Sequence, residues 1–346
     1  MSRQRQGLLQ CIKTKIAAKQ APDIVMGEYG DLLELGNAGY IVDIAKEPFI
    51  GNYADQIKTQ MSTPDGKIYG VPLDVSGMGI YYNKDLFKKA GIAEFPKTQT
   101  GLKEAIDKLK AAEITPFAVA GADPWTLAHS LFTTIAGTAS DVKALSEQVK
   151  SGGALSSDAL KNGFKTIDMM LANADGKMAT NDYNAEMALL AQGKVAMIQQ
   201  GYWAYSSILK INDKVNLGLA AIPYSEKAED TKLGVNINVS YAISSDSKHA
   251  DAAKKLFAWL TSKEGNQIAN GNMQQIPAIE DVKVAGDPIS ADIQSYIAAK
   301  KVVPWAQVYM SGGTRTDAEM IMSAYMFKKK NLDQTIEAMQ ASWAKK

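Results

Sequence analysis

Short strand-like segments alternate with helix-like segments along the whole chain. APDIVMG, TPFAVAG and KVAMIQQG have the apolar, turn-bounded pattern of buried strands, and a stretch with helical spacing follows each of them. Because parallel strands need a helical crossover between them, this alternation predicts an α/β fold with largely parallel sheets. With 346 residues, the chain is long enough for two ordinary domains.

Composition excludes several classes of function. Hydrophobic residues make up 46% of the chain and charged residues 22%, which is the range of a globular protein. The formal net charge of +1 provides no field to attract nucleic acid or an anionic membrane surface. No apolar stretch approaches the roughly 20 residues that a membrane span needs. A nucleic-acid partner and a transmembrane segment are therefore not expected.

Cysteine and histidine are too rare for an ordinary metal site. Cys11 is the single cysteine, so no intrachain disulfide or cysteine-based zinc site can form, and only His129 and His249 could supply imidazole. We expect no metal and no cofactor. The N-terminus is basic but lacks the apolar core of a signal peptide. GLLQC faintly resembles a lipoprotein cleavage site, but no hydrophobic segment precedes it, and Cys11 is interpreted as an ordinary helix residue.

Three extended or irregular stretches, near residues 70–80, 234–244 and 304–314, interrupt the alternation. The first, KIYGVPLDVSGMGIYYN, contains Gly77 and Gly79 and is too long for one regular strand. Such stretches are compatible with crossings between two lobes, although periodicity alone does not establish this interpretation.

The stretch GKIYGVPLDVSGMGIYYNKDLFKKAGI resembles the bacterial extracellular solute-binding proteins of ABC importers. The similarity is to the carbohydrate-uptake branch, which includes maltodextrin-binding protein. Further segments follow in the order that this family has, and together they cover nearly the whole chain from about Leu8: IAAKQAPDIVMG, DPWTLAHSLF, AEMALLAQGKVAMIQQGYWAYSSI, NINVSYAIS, AKKLFAWLTSKEGNQIA and a helical C-terminus ending QTIEAMQASWAK.

This resemblance implies a two-lobed periplasmic-binding-protein fold of class II type, with a hinge and a ligand cleft between the lobes. Lobe 1 would hold residues 1–73 and 241–303, lobe 2 residues 78–236 and 312–346, and the hinge crossings residues 74–77, 237–240 and 304–311. Glycine suits a hinge because it tolerates large backbone changes. The implied function is capture of a sugar or oligosaccharide by a monomer that then docks on ABC permease membrane subunits, without catalysis. The implied location is extracellular, periplasmic or cell-surface tethered.

The chain departs from the family at its beginning. Family members carry an export signal and a first strand, helix and strand before the APDIV-like strand, whereas only 21 residues precede Pro22 here. A late start, a truncation or a genuinely shortened chain would each explain the difference. The first strand–helix–strand unit of lobe 1 is therefore expected to be missing.

Two aromatic-rich segments are the main candidates for ligand binding. A sugar needs flat rings against its C–H faces and fixed polar groups at its hydroxyls. In QQGYWAYSS, the resemblance places Trp203 and Tyr205 as stacking rings, whereas the residues alone favour a core strand–helix corner. In AGADPWTLAHS, it places Trp125 and Asp123 at the cleft, although Asp123 also has the position of a helix N-cap.

Further candidates lie at strand ends and at the proposed crossings. Loops at the carboxyl ends of parallel strands are common ligand sites, and a buried carboxylate or a strand asparagine calls for a polar partner. Asp31 is equally plausible as a helix N-cap, and Asn236 and Asn238 would share one face of a strand, whether a cleft wall or an exposed edge. These additional candidates are Glu28, Tyr29, Asp74, Ser76, Asn236, Asn238, Trp305, Gln307, Gly313 and Arg315.

Other functions remain compatible with the same residues. A glycoside hydrolase would use two carboxylates, for which Asp74 with Asp123 or Glu28 are candidates, but no catalytic motif surrounds them. The same fold could bind a polyamine, a glycerol phosphate or a similar solute. A protein that serves only as an interaction partner would need no polar aromatic cleft.

Overall fold

A computed structural model describes residues 12–16, 18–63, 65–273, 275–279, 282 and 287–345. Cys11 lies outside the described residues. The chain divides into two compact units: unit 1 comprises Met1–Ser76 and Asn236–Gly286, and unit 2 comprises Gly77–Val235 and Asp287–Lys346. The three connections between the units therefore follow Ser76, Val235 and Gly286.

The described strands and helices alternate along much of the chain, as the sequence predicts. The strands are β1 (Ile24–Glu28), β2 (Val71–Pro72), β3 (Asp74–Asn83), β4 (Thr115–Phe117), β5 (Val195–Gly201), β6 (Leu217–Ala220), β7 (Leu233–Ile237), β8 (Val239–Ile243), β9 (Ile276–Pro277) and β10 (Val302–Val303). The α-helices are α1 (Tyr29–Asn37), α2 (Asp55–Met61), α3 (Lys84–Lys89), α4 (Gln99–Ala111), α5 (Pro124–Thr138), α6 (Val142–Lys150), α7 (Asp158–Ala172), α8 (Tyr183–Ala191), α9 (Ala204–Leu209), α10 (Ala250–Leu260), α11 (Lys263–Met273), α12 (Pro288–Ala298), α13 (Gly312–Met326) and α14 (Leu332–Trp343). Short 3-10 helices cover Pro48–Asn52, Ala228–Asp230 and Ala306–Tyr309.

Unit 1 is built on a three-stranded sheet in the order β1-β8-β2. Both neighbours of β8 run antiparallel to it, with Ile24 opposite Ile243 and Val71 opposite Tyr241. Helix α1 directs Leu32 and Leu35 onto this sheet, because residues three apart lie on one face of a helix. These two leucines pack with the following buried side chains: Ile12, Ile16, Val25, Ile41, Tyr69 and Ala242.

Unit 2 is organised around the long strand β3, whose residues from Gly77 onward belong to this unit. The strand order is β10-β7-β3-β5-β4, and β6 also pairs with β3. Helices α5, α7, α13 and α14 enclose a second apolar core, in which Phe164 and Trp343 are almost completely buried. Asn331 begins α14 with a capping box, in which its side chain accepts from the Gln334 backbone N–H.

The prediction of largely parallel sheets is wrong. Strands β5 and β6 run antiparallel to β3, as β9 does to the first residues of β3, and the parallel pairs with a defined register are β4 with β5 and β10 with β7. Alternation of helices and strands fixes strand direction only where consecutive strands are neighbours. Here β3 pairs with β5 and β6, which come more than 100 residues later in the chain, and both run antiparallel to it.

The predicted lobe boundaries need a correction near the C-terminus. Residues 287–303 were expected in lobe 1 and a crossing at 304–311, but the structure assigns both segments to unit 2. The reason is that α12 packs on β6: the Leu219 backbone N–H donates to Asp292 at 2.8 Å, and the Ala221 N–H donates to the Tyr296 hydroxyl at 3.1 Å. Helical periodicity alone did not reveal which unit α12 would cover.

Close packing explains the two glycines in β3. A Cβ atom at Gly79 would lie 2.2 Å from the Ala220 carbonyl oxygen, and one at Gly77 would lie 2.8 Å from the Ile293 side chain. Neither glycine has the positive φ that only glycine readily adopts. In unit 2 these positions therefore need glycine for close approach of β6 and α12, which is a different reason from the hinge flexibility proposed for them.

The predicted single strand GVNINVSYAIS is divided in the structure. Strand β7 ends at Ile237 and β8 begins at Val239, so Asn238 lies between two strands that belong to different sheets. Among the described helices, none is both long enough and apolar enough to span a bilayer.

Candidate functional site

A row of aromatic rings runs across part of unit 2. In order, it consists of Tyr183, Trp125, His129, Trp203 and Trp305. Successive ring centroids are 5.4, 5.3, 5.4 and 5.9 Å apart. All but Trp305 are only partly buried. Three of the predicted site residues, Trp125, Trp203 and Trp305, are thus brought into one continuous group.

The end of β5 positions Trp203. A Cβ atom at Gly201 would lie 2.1 to 2.5 Å from the six-membered ring of Trp203, so glycine at the last residue of the strand allows the indole to lie against it. The adjacent Tyr202 takes the opposite role, since it is buried and its hydroxyl donates to the Asp287 carboxylate. The aromatic cluster therefore divides: Tyr202 is core, and Trp203 belongs to the ring row.

Trp305 is the buried end of the row. Its ring stands at 83° to Trp203, in a T-shaped contact, and a Cβ atom at Gly234 would lie 2.8 Å from its Nε1. The indole N–H groups of Trp203 and Trp305 are buried and find no hydrogen-bond partner in the part of the chain that the structure describes. Because an unsatisfied buried donor costs about 1–3 kcal/mol, both N–H groups are donors available to an acceptor that comes close enough.

Asp123 is the N-cap residue of α5, but its side chain does not cap that helix. Its Oδ2 instead accepts from the Tyr183 backbone N–H at 2.8 Å. The carboxylate therefore joins the start of α5, which carries Trp125, to the start of α8, which carries Tyr183. Of the two alternatives that the sequence left open, the helix N-cap is not observed, and the role as an acceptor for a ligand hydroxyl stays a prediction.

Sequence reasoning missed Tyr183 and interpreted His129 as structural. Tyr183 is the first residue of α8, after Asp182, whose side chain accepts from the Ala185 N–H. His129 lies one helical turn after Trp125, a spacing that places two side chains on the same helix face. That spacing was the available signal for His129, whereas nothing local in the sequence indicates that α8 starts beside Trp125.

A buried polar contact joins the elements that carry the row. The Gln200 side-chain amide donates to Glu186 Oε2 at 2.8 Å, and the Ala120 backbone N–H also donates to this carboxyl group. Burial raises the pKa of Glu186 from 4.5 to about 8, although these two hydrogen bonds lower it. The contact links α8, the end of β5 and the segment before α5, which are the three elements that carry Tyr183, Trp203 and Trp125.

In unit 1, Asp74 and Asn238 are paired. Asn238 Nδ2 donates to Asp74 Oδ2 at 2.7 Å, and the Asn238 backbone N–H donates to the Asp74 carbonyl oxygen at 3.1 Å. Burial raises the pKa of Asp74 to about 7, against the opposing effect of the Asn238 hydrogen bond. Asn236 is buried, and its Oδ1 has no hydrogen-bond partner among the described residues. Asn236 therefore does not lie on a solvent-facing edge, and the partly exposed Asn238 is held by Asp74.

Tyr29, predicted as a ligand contact, is a core residue of unit 1. Its hydroxyl donates to the Met61 carbonyl oxygen and accepts from the Tyr69 backbone N–H, and burial raises its pKa well above 10. These contacts give the hydroxyl a structural role that the strand-to-helix pattern could not show. Its neighbour Glu28 is the N-cap residue of α1 and is partly buried, and Ser76 is buried within β3.

The remaining candidates in unit 2 lie outside the ring row. Tyr205 stacks on Tyr202, with the rings 6.4 Å apart and 17° from parallel. Gln307 lies in the 3-10 helix after Trp305 and is partly buried. Gly313 and Arg315 fall in the first turn of α13, where Gly313 is exposed and Arg315 buried. Across the described residues, no group of three or more histidine, cysteine, aspartate or glutamate side chains could hold a metal ion.

Comparison with known proteins gives the family. A model of the bacterial extracellular solute-binding protein family matches residues 6–267. This chain belongs to that family.

The curated relatives of this solute-binding protein include sugar-binding proteins. The multiple sugar-binding protein of Streptococcus mutans is 27% identical over 269 residues, which are 74% of this chain and 62% of the relative. A maltooligosaccharide ABC transporter solute-binding lipoprotein of Streptococcus pneumoniae is 25% identical over 284 residues, covering 74% of this chain and 60% of the relative. The chain thus spans about three fifths of the length of both relatives.

Solved structures show the fold of this solute-binding protein. The apo form of RafE from Streptococcus pneumoniae matches with a TM-score of 0.83 at 22% identity, over 97% of this chain and 87% of RafE. RafE in complex with raffinose matches with a TM-score of 0.77 at 23% identity, over 97% and 88%. The fold is therefore that of the periplasmic binding proteins, as the sequence resemblance implies.

Proposed function

We propose that this chain is the substrate-binding component of an ABC importer and that it captures a sugar or oligosaccharide. The observation that carries the proposal is the row of partly buried rings in unit 2, in which Trp125 and Trp203 stand on either side of His129. Flat aromatic faces provide large apolar contacts for the C–H faces of sugar rings at little cost in conformational entropy. Relatives whose names include sugar binding support the same ligand class.

In this proposal, Trp203 and Trp125 are the principal stacking rings, and Tyr183 extends them at the start of α8. The buried N–H groups of Trp203 and Trp305 are donors for ligand or water oxygens. Polar contacts with hydroxyls would come from groups that the sequence nominated: the side chains of Glu28, Asp74, Ser76, Asp123, Tyr205, Asn236, Asn238, Gln307 and Arg315, and the backbone of Gly313. Tyr29 is not included, because its hydroxyl is already bonded within the core of unit 1.

Hydrogen bonding of the carboxylates favours a neutral ligand over a polyamine. Asp74 accepts from Asn238 and Asp123 accepts from the Tyr183 N–H. With a pKa of about 7, Asp74 is also only partly ionised at neutral pH. Two carboxylates that could attract a cation, those of Asp74 and Asp123, are therefore engaged within their own unit. A sugar, which offers hydroxyls in place of charge, fits these groups better.

The proposed mechanism is binding without catalysis. A sugar that binds one conformation of the protein better than another shifts the equilibrium by the difference between its affinities for the two. The sugar-bound, monomeric protein would dock on the membrane subunits of an ABC permease, outside the cell membrane or in the periplasm. No chemical step at the sugar is proposed, so incubation with an oligosaccharide should leave it intact, and release of shorter products would contradict this part of the proposal.

Trp203→Ala tests the ring row directly. If Trp203 stacks on the ligand, its removal should weaken saccharide binding by about 2 kcal/mol, or about 30-fold. Trp259→Ala is the matched control, because Trp259 is an exposed tryptophan of α10 in unit 1. Calorimetric titration of both folded variants gives the comparison, and equal affinities in the two variants would remove Trp203 from the site.

A further inference from the structure

One imidazole separates the two proposed stacking tryptophans. The His129 ring centroid lies 5.3 Å from that of Trp125, with the rings at 81°, and 5.4 Å from that of Trp203, with the rings at 53°. In the part of the chain that the structure describes, no direct ring contact joins Trp125 to Trp203. The position of one indole relative to the other therefore depends on the His129 side chain, which contacts both rings.

His129 contacts indoles that come from different elements. Trp125 precedes it by one turn on α5, and helical side chains lean toward the N-terminus, so the imidazole lies over the indole. Trp203 follows β5 at the start of α9. Phe132 also faces the imidazole, at 6.3 Å between centroids. The imidazole thus fills the space between α5 and the β5–α9 corner, and its edge-to-face geometry with Trp125 is a preferred arrangement of aromatic pairs.

We infer that His129 is a positioning residue that holds Trp125 and Trp203 at a fixed separation and angle for the ligand. A side chain without a ring would leave a gap between the indoles and allow each of them other rotamers. Binding would then have to restore the arrangement that the native protein has before the ligand arrives, which lowers affinity. The consequence for affinity rests on the proposed function, but the positioning of the indoles does not.

The positioning is tested without any ligand by fluorine NMR. The chain has five tryptophans, so protein labelled with 5-fluorotryptophan should give five resonances, which single Trp→Phe variants assign. We expect His129→Ala to shift the Trp125 and Trp203 resonances and to leave that of Trp259 in place. His129→Phe keeps a ring between the indoles and should shift both resonances much less than His129→Ala. His249→Ala, at the exposed second histidine, should shift neither. Unmoved Trp125 and Trp203 resonances in folded His129→Ala protein would overturn the inference.

The effect on binding is tested by a double-mutant cycle with raffinose and maltotriose as probes. His129→Ala should weaken the tighter of the two complexes about tenfold, and His129→Phe should keep affinity within about threefold of the native protein. In a Trp203→Ala background, His129→Ala should reduce saccharide affinity much less, because the effects of substitutions at residues that act together are not additive. Equal losses in both backgrounds would show that His129 acts independently of Trp203 and would contradict the inference. Absence of binding to either probe in the native protein would count against the proposed function, while the fluorine spectra still decide the positioning.

Discussion

Replacing Glu186 by glutamine should change how the stability of unit 2 depends on pH. Glu186 is almost completely buried between α8 and the end of β5, where Gln200 and the Ala120 N–H donate to it. Glutamine has nearly the same shape and keeps an acceptor oxygen, but it cannot ionise. The substitution therefore removes the cost of keeping a carboxyl group protonated in the folded state and preserves most of the packing.

The sign and size of the effect follow from the pKa of Glu186, which burial raises from 4.5 to about 8. The folded state holds the proton more tightly than the unfolded state, so stability falls as pH rises from about 4.5 to about 8. At 1.36 kcal/mol per pKa unit, keeping Glu186 protonated in the folded state, while the carboxyl group ionises in the unfolded state, lowers the stability of the native protein by about 3 kcal/mol at pH 7 and about 1 kcal/mol at pH 5. The difference in unfolding free energy between Glu186→Gln and the native protein should thus rise by about 2 kcal/mol in favour of the variant from pH 5 to pH 7.

Urea unfolding at both pH values measures this change. Tryptophan emission reports mainly on unit 2, because all five tryptophans except Trp259 lie there. Glu337→Gln is the control: Glu337 is exposed on α14 of the same unit, so its substitution should leave the pH dependence as it is. If native protein and Glu186→Gln keep the same difference in unfolding free energy at pH 5 and pH 7, Glu186 does not bind its proton as described.

Two further substitutions test other parts of the structure. Asp74→Asn should make the stability of unit 1 less dependent on pH. In the native protein the folded pKa of Asp74, about 7, lies above the ordinary 3.8, so stability is lost as pH rises between these values, and asparagine cannot ionise. Amide hydrogen exchange in unit 1 at pH 5 and pH 7 measures this, and an unchanged pH dependence would contradict it. Gly201→Ala should lower saccharide affinity by about tenfold or more, since the new methyl group would overlap the Trp203 ring and force it to move. Gly51→Ala is the control, because a Cβ atom there meets nothing within 4 Å; equal saccharide affinity in these two variants, measured by calorimetry, would show that the Trp203 position does not matter.

The sequence alone predicted the fold class and the family, because both depend on information that is local and ordered along the chain. Alternating strand-like and helix-like segments gave α/β, and several short motifs in the right order gave the solute-binding proteins. The direction of the strands, in contrast, could not be predicted from local sequence. The direction of β3 relative to β5 and β6 depends on strands that pair across more than 100 residues, and no periodicity records such pairing.

The candidate site was predictable where a chemical signal stood out in the sequence. Trp125 and Trp203 were both nominated, and the structure joins them through His129. Tyr29 was nominated because it follows a strand, yet its hydroxyl is bonded to the backbone around Met61. Tyr183 was missed because its neighbour in the row, Trp125, is 58 positions away in sequence. Contacts of this kind arise where the first residues of α5 and α8 meet, which the pattern of either helix does not specify.

Calorimetric titration of the native protein with a set of ligands tests the central claim most directly. The set should include mono-, di- and trisaccharides, with spermidine and glycerol 3-phosphate as charged alternatives. We expect saturable binding of at least one saccharide to a single site, and no binding of spermidine or glycerol 3-phosphate under the same conditions. Binding of spermidine or glycerol 3-phosphate without binding of any saccharide would contradict the account of this protein as a sugar-capturing component of an importer.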